Sequence, residues 1–184
     1  MLWIFFKTRT NLFNGLQKEM LHVAPEPVFQ KLLSKQLGEG YLTADLYNPA
    51  AMVKMDITDI QYPDNTFDVI YCSHVLEHVD DDKKAMKEFY RTLKPDGWAI
   101  LLVPILEGPT YEDPSITDPQ ERLKAFGQED HVRKYGTDLV YLNRLKEAGF
   151  NVQITEASEF LDSEQITRMG ITEAAQDIYY CTKS

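Results

Sequence analysis

The sequence is poor in cysteine, with only two among its 184 residues. Cys72 and Cys181 lie far apart in the chain, each within an apolar run. This pattern excludes a disulfide scaffold and a zinc ribbon within the chain, and no other metal site is predicted. A chain of this length buries roughly 70% of its unfolded surface, so it needs neither disulfides nor a metal to fold. We therefore expect one domain of ordinary size.

Basic residues are scarce as well: 19 Lys and Arg stand against 29 Asp and Glu, which gives a net charge of −10. The sequence has no basic stripe, which argues against direct binding of a nucleic-acid backbone. No run approaches the ~20 apolar residues of a membrane span. Lys7 and Arg9 follow the apolar stretch Met1–Phe6, whereas a signal peptide has its positive charges first. The composition predicts a cytoplasmic protein without nucleic-acid or membrane partners.

The first 20 residues have no obvious place in a sheet, so we treat residues 1–20 as an apolar N-terminal segment and residues 21–184 as the main domain. An exposed apolar segment tends to find a partner surface. The segment is therefore expected to pack onto the domain or to support a homodimer.

Short apolar runs alternate with helical patterns through the first half of the chain. The predicted strands are Leu21–Ala24, Tyr41–Ala44, Met52–Met55, Phe67–Cys72 and Trp98–Pro104. One predicted helix follows Pro27, and another follows the acidic residues 80–82, whose charge suits a helix N-terminus. This alternation predicts an α/β fold with a parallel sheet and right-handed crossovers.

The stretch from Glu107 to Tyr135 is polar and breaks this alternation, so residues 107–135 are interpreted as an insertion of the kind that forms a lid or a substrate-binding segment. Asp118 and Glu121 form a capping-box pattern with Pro119 at the first helical position, which predicts a short helix to about Phe126. A helix over Thr137–Ala148 and two further strands follow. The second of these strands is Asp177–Thr182, and the pair predicts an antiparallel finish at one edge of the sheet.

Polar side chains end three of the predicted strands: Asp45, Asp56 and the pair Ser73-His74. Ligands of open α/β sheets bind at the carboxyl ends of the strands. Asp45 lies 19 residues after Glu26, close to the ~20-residue offset at which an acid binds a ribose diol. A single Asp at a strand end is more often a cap or a turn former. Three such ends in succession favour a nucleoside site.

Several stretches are similar to the class I S-adenosylmethionine-dependent methyltransferases of the type 11 group. The resemblance rests on Leu21–Glu26, Thr43–Asp45, Val53–Ile57, Tyr62–Ile70, Ser73–Val79 and Leu93–Trp98. It implies a Rossmann-like fold with a mostly parallel seven-stranded sheet, an antiparallel edge strand and helices on both faces. Residues 118–133 further resemble a bacterial subgroup whose members often begin with a zinc-ribbon-like segment. This sequence contains no such segment, and Met1–Phe13 resembles the tail of that region.

The resemblance also implies a cofactor, S-adenosylmethionine, and places its contacts. Ala24, Pro25 and Glu26 resemble the turn next to the methionine part of the cofactor. Asp45, with Leu46 after it, resembles the acid on the ribose. Asp56 and Ile57 resemble the adenine-binding pair, and Ser73 and His74 resemble the residues beneath the transferred methyl group.

The first turn departs from the family pattern, which has Gly-x-Gly after the first strand so that the backbone can approach the ligand closely. Here the turn runs Val23-Ala24-Pro25-Glu26-Pro27, with no glycine and two prolines that lack N–H donors. Ala24 is small enough for a close approach, and Glu26 is a candidate partner for the amino group of the cofactor.

Histidine is the side chain best suited to act as a general base near neutral pH. His74 is the first candidate catalytic residue, and His131, in the insertion, is the second. His78 is either functional or a brace for its loop, and His22 is interpreted as a packed side chain. Arg122 and Arg133 are candidates for holding an anionic acceptor, although solvated arginines are commoner.

The sequence therefore predicts a methyltransferase that acts on a small molecule or a sugar. The alternative is a degenerate methyltransferase-like binding module without activity, which the glycine-free turn favours. A nicotinamide dehydrogenase on a similar sheet is a more remote hypothesis, because Gly-x-Gly-x-x-Gly is missing.

Overall fold

A computed structural model describes residues 1–172 and 175–183 of the chain. It contains ten strands, which are Met20–Val23 (β1), Tyr41–Asp45 (β2), Val53–Lys54 (β3), Phe67–Ser73 (β4), Leu93–Leu102 (β5), Ile105–Leu106 (β6), Tyr111–Glu112 (β7), Arg133–Gly136 (β8), Asn151–Glu156 (β9) and Asp177–Thr182 (β10). Seven of them form the main sheet, in the order β3-β2-β1-β4-β5-β10-β9. β1 to β5 are parallel, and β10 runs antiparallel to both β5 and β9. The predicted fold class is confirmed.

Six α-helices connect or flank these strands within the described residues, and they are Leu2–Arg9 (α1), Pro27–Leu37 (α2), Asp82–Thr92 (α3), Pro119–Phe126 (α4), Val140–Glu147 (α5) and Ser163–Met169 (α6). Proline at the first turn of α2, where the N–H has no intrahelical partner, fixes the start of that helix. Asp118 caps α4 by accepting hydrogen bonds from the N–H groups of Gln120 and Glu121, as predicted. No described helix has the length and apolarity that crossing a membrane requires.

Two elements begin several residues away from the starts that the sequence predicts. α5 begins at Val140 rather than Thr137, because the Asp138 carboxylate is bound to Thr110 and Leu139 is left-handed with a φ of 65°. β5 begins at Leu93 rather than Trp98, since Leu93 pairs with Phe67 ahead of a register shift between β4 and β5. Both differences come from contacts between distant parts of the chain.

Helices cover both faces of the main sheet. On one face, the ring of Phe6 in α1 lies 5.5 Å from Tyr71 of β4 and 6.0 Å from Phe29 of α2. On the other face, Tyr141 of α5 lies 5.0 Å from Tyr179 of β10 and donates its hydroxyl to the carbonyl of Leu101 at 2.9 Å. Helices on the two faces explain the near-continuous apolar composition of β4 and β5, which are buried on both sides.

The apolar N-terminal segment packs onto its own domain. Phe5 and Phe6 are buried, and Trp98 Nε1 donates a hydrogen bond to Asn11 Oδ1 at 2.8 Å. Of the two placements expected for this segment, the structure shows the first, and the homodimer stays a prediction.

The expected insertion is folded rather than irregular. β6, β8 and β7 form a separate three-stranded sheet in that order, and α4 packs beside it. Tyr111 contacts Phe126 at 5.6 Å, and Tyr135 is buried with its hydroxyl bound to Asp82. Residues 105–136 therefore form a small α/β layer next to the carboxyl ends of β4 and β5.

Candidate functional site

The carboxyl ends of the parallel strands lie side by side along one edge of the sheet. Hydrogen bonds continue past the strand ends, because the Ala24 N–H donates to the carbonyl of Ala44 at 2.8 Å and the His74 N–H donates to that of Leu102 at 2.9 Å. From β1 the chain adds β2 and β3 on one side of the sheet, and it then crosses over to add β4 and β5 on the other side. The gap between the parallel strands β1 and β4 is therefore the topological switch point. Ligands of open α/β sheets bind in the crevice at such a point.

Two residues at this switch point adopt a backbone conformation that side chains rarely take. Ala24, after β1, has a φ of 47°, and His74, after β4, has a φ of 56°. Left-handed non-glycine residues store strain on the order of 1–3 kcal/mol and cluster at functional sites. Both strained residues therefore lie at the ends of the two strands that flank the switch point.

The first turn is held by a hydrogen-bond network around Glu26. Its carboxylate lies 2.8 Å from His22 Nε2 and accepts the Tyr71 hydroxyl at 2.9 Å, while His22 Nδ1 lies 2.6 Å from the Tyr41 hydroxyl. Burial is the largest single influence and acts to raise the pKa of Glu26, but the hydrogen bonds with His22, Tyr71 and the backbone, together with the charge of His22, outweigh it and the pKa is lowered. His22 is fully buried, as expected from the sequence. The carboxylate of Glu26 is thus oriented by the sheet, with Pro25 buried beside it.

Asp45 and Asp56 each use one carboxylate oxygen for a local turn. Asp45 Oδ1 accepts the N–H groups of Tyr47 and Asn48, both at 2.8 Å, and Asp56 Oδ1 accepts the Thr58 N–H and hydroxyl, also at 2.8 Å. Within residues 1–172 and 175–183, no hydrogen bond occupies Oδ2 of either acid. The turn-forming and ligand-binding interpretations are therefore compatible, because the second oxygen remains available to a ligand.

The apolar neighbours of these acids are less accessible. Leu46 is half-buried and Ile57 is 5% exposed, so Ile57 offers a ligand its backbone more readily than its side chain.

His74 is the most accessible histidine at the crevice, with a side chain that is 55% exposed. Its Nδ1 lies 3.4 Å from Oε1 of Glu77, whose side chain is 2% exposed. The hydrogen bond to Glu77 raises the pKa of His74. Ser73, half-buried at the end of β4, precedes it. A buried carboxylate thus orients an exposed imidazole at the switch point.

His131 lies beside His78 rather than in the open crevice. The two rings are 4.6 Å apart, and the Val132 N–H donates to the carbonyl of Glu77 at 3.0 Å. His131 is 7% exposed, and burial together with His78 lowers its pKa. The structure brings together the two histidines that the sequence left in different elements.

Glu77 is a site residue for which the sequence predicted no role of its own. It lies three residues after His74 and touches both sides of the site. The His-x-x-Glu-His pattern of residues 74–78 is the signal that could have identified it, because positions three apart share one side of a helical turn.

Arg133 does not fit the expected role as an acceptor contact. It is 4% exposed, and its guanidinium donates to the backbone carbonyls of Leu76, Val79 and Asp80 and pairs with Glu112 at 3.1 Å. Its charge is already satisfied, so it fixes the loop after β4 instead. Arg122 is half-buried and donates to the carbonyl of Ile116 at 3.1 Å.

The crevice suits the adenosine half of S-adenosylmethionine. Adjacent strand ends present free carboxylate oxygens at Asp45 and Asp56, which match the donors of a ribose diol and an exocyclic amine. The first turn is less typical, because its prolines lack N–H groups and Glu26 is already bound to His22 and Tyr71. The residues present still fit the cofactor, with Glu26 42% exposed toward solvent.

Comparison with known proteins agrees with this geometry. Residues 13–101 match the family described as a methyltransferase domain. Phosphoethanolamine N-methyltransferase 3 of Arabidopsis thaliana is 32% identical over 105 residues, which cover 55% of this chain and 19% of that protein. Arginine-hydroxylase NDUFAF5 of Danio rerio, a mitochondrial protein, is 26% identical over 171 residues, covering 92% of this chain and 50% of that protein. The chain thus spans between about one fifth and one half of the length of these two relatives.

A solved structure supports the fold. Phosphoethanolamine N-methyltransferase 2 of Haemonchus contortus, in complex with S-adenosyl-L-methionine, superposes with a TM-score of 0.62 at 13% identity and covers 99% of this chain and 51% of its own. Residues 13–101 therefore match a methyltransferase domain, and the whole chain shares its fold with a methyltransferase solved in complex with S-adenosyl-L-methionine. S-adenosylmethionine is the cofactor that these two similarities support.

Proposed function

We propose that this chain is an S-adenosylmethionine-dependent methyltransferase that acts on a small-molecule or sugar acceptor. The observation that carries the proposal is the row of strand ends beside the switch point, where Asp45 and Asp56 each keep a free oxygen and the residues after β1 and β4 are left-handed. The cofactor contacts in this proposal are Ala24, Pro25, Glu26, Asp45, Leu46, Asp56, Ile57, Ser73 and His74.

The residues have distinct roles in methyl transfer. When bound, the cofactor supplies a methyl group on a sulfonium, whose carbon–sulfur bond breaks toward sulfur as the acceptor bonds to the methyl carbon. Asp45 and Asp56 fix the adenosine, so that the reacting centre has one orientation. His74 takes the proton that the acceptor loses, and Glu77 positions the imidazole from its buried side. The folded insertion supplies the wall that excludes water.

The acceptor class rests on the site rather than on the relatives. Their names include phosphoethanolamine and sterol methyltransferases and an arginine hydroxylase, so one fold serves several reactions. An exposed imidazole on a buried carboxylate suits an acceptor hydroxyl, which has to lose a proton, and we therefore favour a hydroxylated small molecule or sugar. His131 is the second candidate catalytic residue. The cytoplasmic location and the lack of a nucleic-acid partner stay predictions from composition.

Isothermal titration with S-adenosylhomocysteine tests the cofactor site. Asp45→Asn keeps an oxygen for the turn but removes the charge that we assign to the ribose, and it should weaken binding by on the order of 10- to 100-fold, the cost of a hydrogen bond to a charged group. The matched control is Asp162→Asn, which alters an N-cap of α6 remote from the crevice and should leave the affinity unchanged. Equal affinities in both variants would remove Asp45 from the site.

The second candidate is a methyltransferase-like module without activity. The engaged carboxylate of Glu26 and the prolines on either side of it favour this alternative, because a first turn occupied by its own contacts leaves fewer groups for the methionine end. Absence of heat and of a thermal shift with both S-adenosylmethionine and S-adenosylhomocysteine would select the module over the enzyme.

A further inference from the structure

Three side chains next to His74 form a cluster that the methyl-transfer mechanism does not use fully. One ligand atom each of Glu77, His78 and His131 lies within 4.8 Å of the other two. Glu77 and His131 are buried, and His78 is half-buried. Two residues of the cluster come from the 3₁₀ turn Leu76–His78 after β4, and the third comes from the insertion. The cluster therefore forms only when the insertion docks on the main sheet.

A buried oxygen in this cluster has no partner. Oε1 of Glu77 faces His74, but Oε2 makes no hydrogen bond with any part of the chain that the structure describes. The Glu77 side chain is 2% exposed. A buried carboxylate oxygen without a partner is costly, and buried charges in proteins are paired or coordinate metals. The free oxygen and the two imidazoles thus form a donor set suited to a cation.

We propose that Glu77, His78 and His131 bind a divalent transition-metal ion of the zinc type. Two imidazoles and one carboxylate form a ligand set typical of catalytic zinc, and harder cations such as Mg²⁺ prefer oxygen ligands alone. Ligand atoms around a tetrahedral zinc lie about 3.4 Å apart, so binding would draw the present atoms together by on the order of 1 Å. Side-chain rotation of the half-buried His78 provides this movement.

Side chains around the cluster contact two of its three proposed metal ligands. Asp130 Oδ2 lies 3.3 Å from Nδ1 of His78, which leaves Nε2 of that ring for the metal, and His74 contacts the other oxygen of Glu77. Metal-binding histidines usually donate their second ring N–H to a carboxylate or carbonyl in this way. The cluster is thus a ligand set with its outer contacts already formed.

Three protein ligands leave a coordination position open. This role rests on the proposed function: an acceptor hydroxyl bound at the open position would be oriented beside His74 and would lose its proton more readily. The site would then recognise the acceptor, while Asp45 and Asp56 recognise the cofactor.

Titration of the tag-free, chelator-treated protein with Zn²⁺, and with Co²⁺ monitored by visible absorption, tests the site. We expect saturable binding at one ion per chain and a Co²⁺ spectrum typical of nitrogen and oxygen ligands. Glu77→Gln and His131→Gln should each lower the affinity at least 100-fold, and Asp130→Asn, as an outer partner, by roughly 10- to 100-fold. Glu129→Gln, an exposed neighbour in the insertion, should bind like the wild type.

The stability of the metal-free variants distinguishes a ligand from a structural residue. Glu77→Gln removes a buried charge, so the metal-free melting temperature should not fall, while the metal-dependent increase in melting temperature should disappear. Wild-type protein that binds neither ion at 0.1 mM, or variants that bind as well as the wild type, would overturn the metal site. If S-adenosylhomocysteine still binds in that case, the proposed function stands and only this inference fails.

Discussion

Ala24 shows how a single residue can replace the glycine expected in a cofactor-binding turn. Its φ of 47° lies in the left-handed region, where glycine is favoured because it has no Cβ. The neighbouring Glu26 is bound to His22 and Tyr71, and Pro25 is buried, so tertiary contacts hold the turn in this conformation. The family pattern predicts a glycine here, and its absence explains why the sequence alone left cofactor binding open.

Replacement of Ala24 by glycine should relieve this strain. We expect Ala24→Gly to raise the free energy of unfolding by up to about 1 kcal/mol, because the lost strain exceeds the added freedom of the unfolded chain. The control is Ala99→Gly in β5, where a buried methyl is lost from a regular strand, and it should lower the free energy of unfolding by roughly 1–2 kcal/mol. Urea unfolding measures both values. A similar loss in both variants would show that the Ala24 methyl contact outweighs the strain.

At the scale of elements, Glu88 and Arg91 of α3 hold the segment that follows β3 and the pair Asp56-Ile57. Glu88 accepts the Ile60 N–H at 2.8 Å and the guanidinium of Arg91 at 2.7 Å, and Arg91 also donates to the carbonyls of Ile60 and Tyr62. The hydrogen bond from Arg91 lowers the pKa of Glu88. One ion pair on α3 thus connects the helix to the loop that leads away from Asp56.

This ion pair should make stability depend on acid pH. Because the pKa of Glu88 is lower in the folded state, its contribution is complete above its ordinary value near 4.5 and is lost as pH falls through the folded value. The free energy of unfolding in urea should therefore fall more steeply below about pH 4.5 in the wild type than in Glu88→Gln. Glu164→Gln, on the exposed helix α6, should keep the wild-type profile. Parallel curves for all three proteins would contradict the assignment.

The elements themselves were largely predictable, and their ends and partners were less so. Residues 177–182 and the Asp118 cap follow from local periodicity and capping, and both are confirmed. The late start of α5 depends on Asp138 binding Thr110. In the small sheet of the insertion, β6 and β7 are each only two residues long. Such short pairings carry no periodic signal, which is why only the short helix ending near Phe126 was predicted within residues 107–135.

The same limit applies to the site. Asp45, Asp56 and Ser73-His74 end successive strands, and strand ends can be placed from sequence once a parallel sheet is predicted. The approach of His131 to His78, at 4.6 Å between rings, depends on how the insertion docks, and no local pattern encodes that distance. Arg133 was misjudged for the same reason, because its carbonyl partners lie more than 50 residues away in the chain.

At the scale of the whole molecule, the N-terminal helix and the insertion pack against different parts of the main sheet. The N-terminal helix α1 covers one face through Phe5 and Phe6, and the folded insertion meets the carboxyl edge near Glu77 and Val132. Neither contact involves the strand ends that carry Asp45 and Asp56. In the proposed function, the main sheet therefore forms the cofactor crevice and the insertion contributes the acceptor side.

A crystal structure of the complex with S-adenosylhomocysteine would show where the cofactor product binds and how it is oriented. We expect the ribose on Oδ2 of Asp45, the adenine next to Asp56 and Ile57, and the sulfur facing His74 at the gap between β1 and β4. A product bound elsewhere on the chain, or one whose sulfur points away from β4, would contradict this prediction.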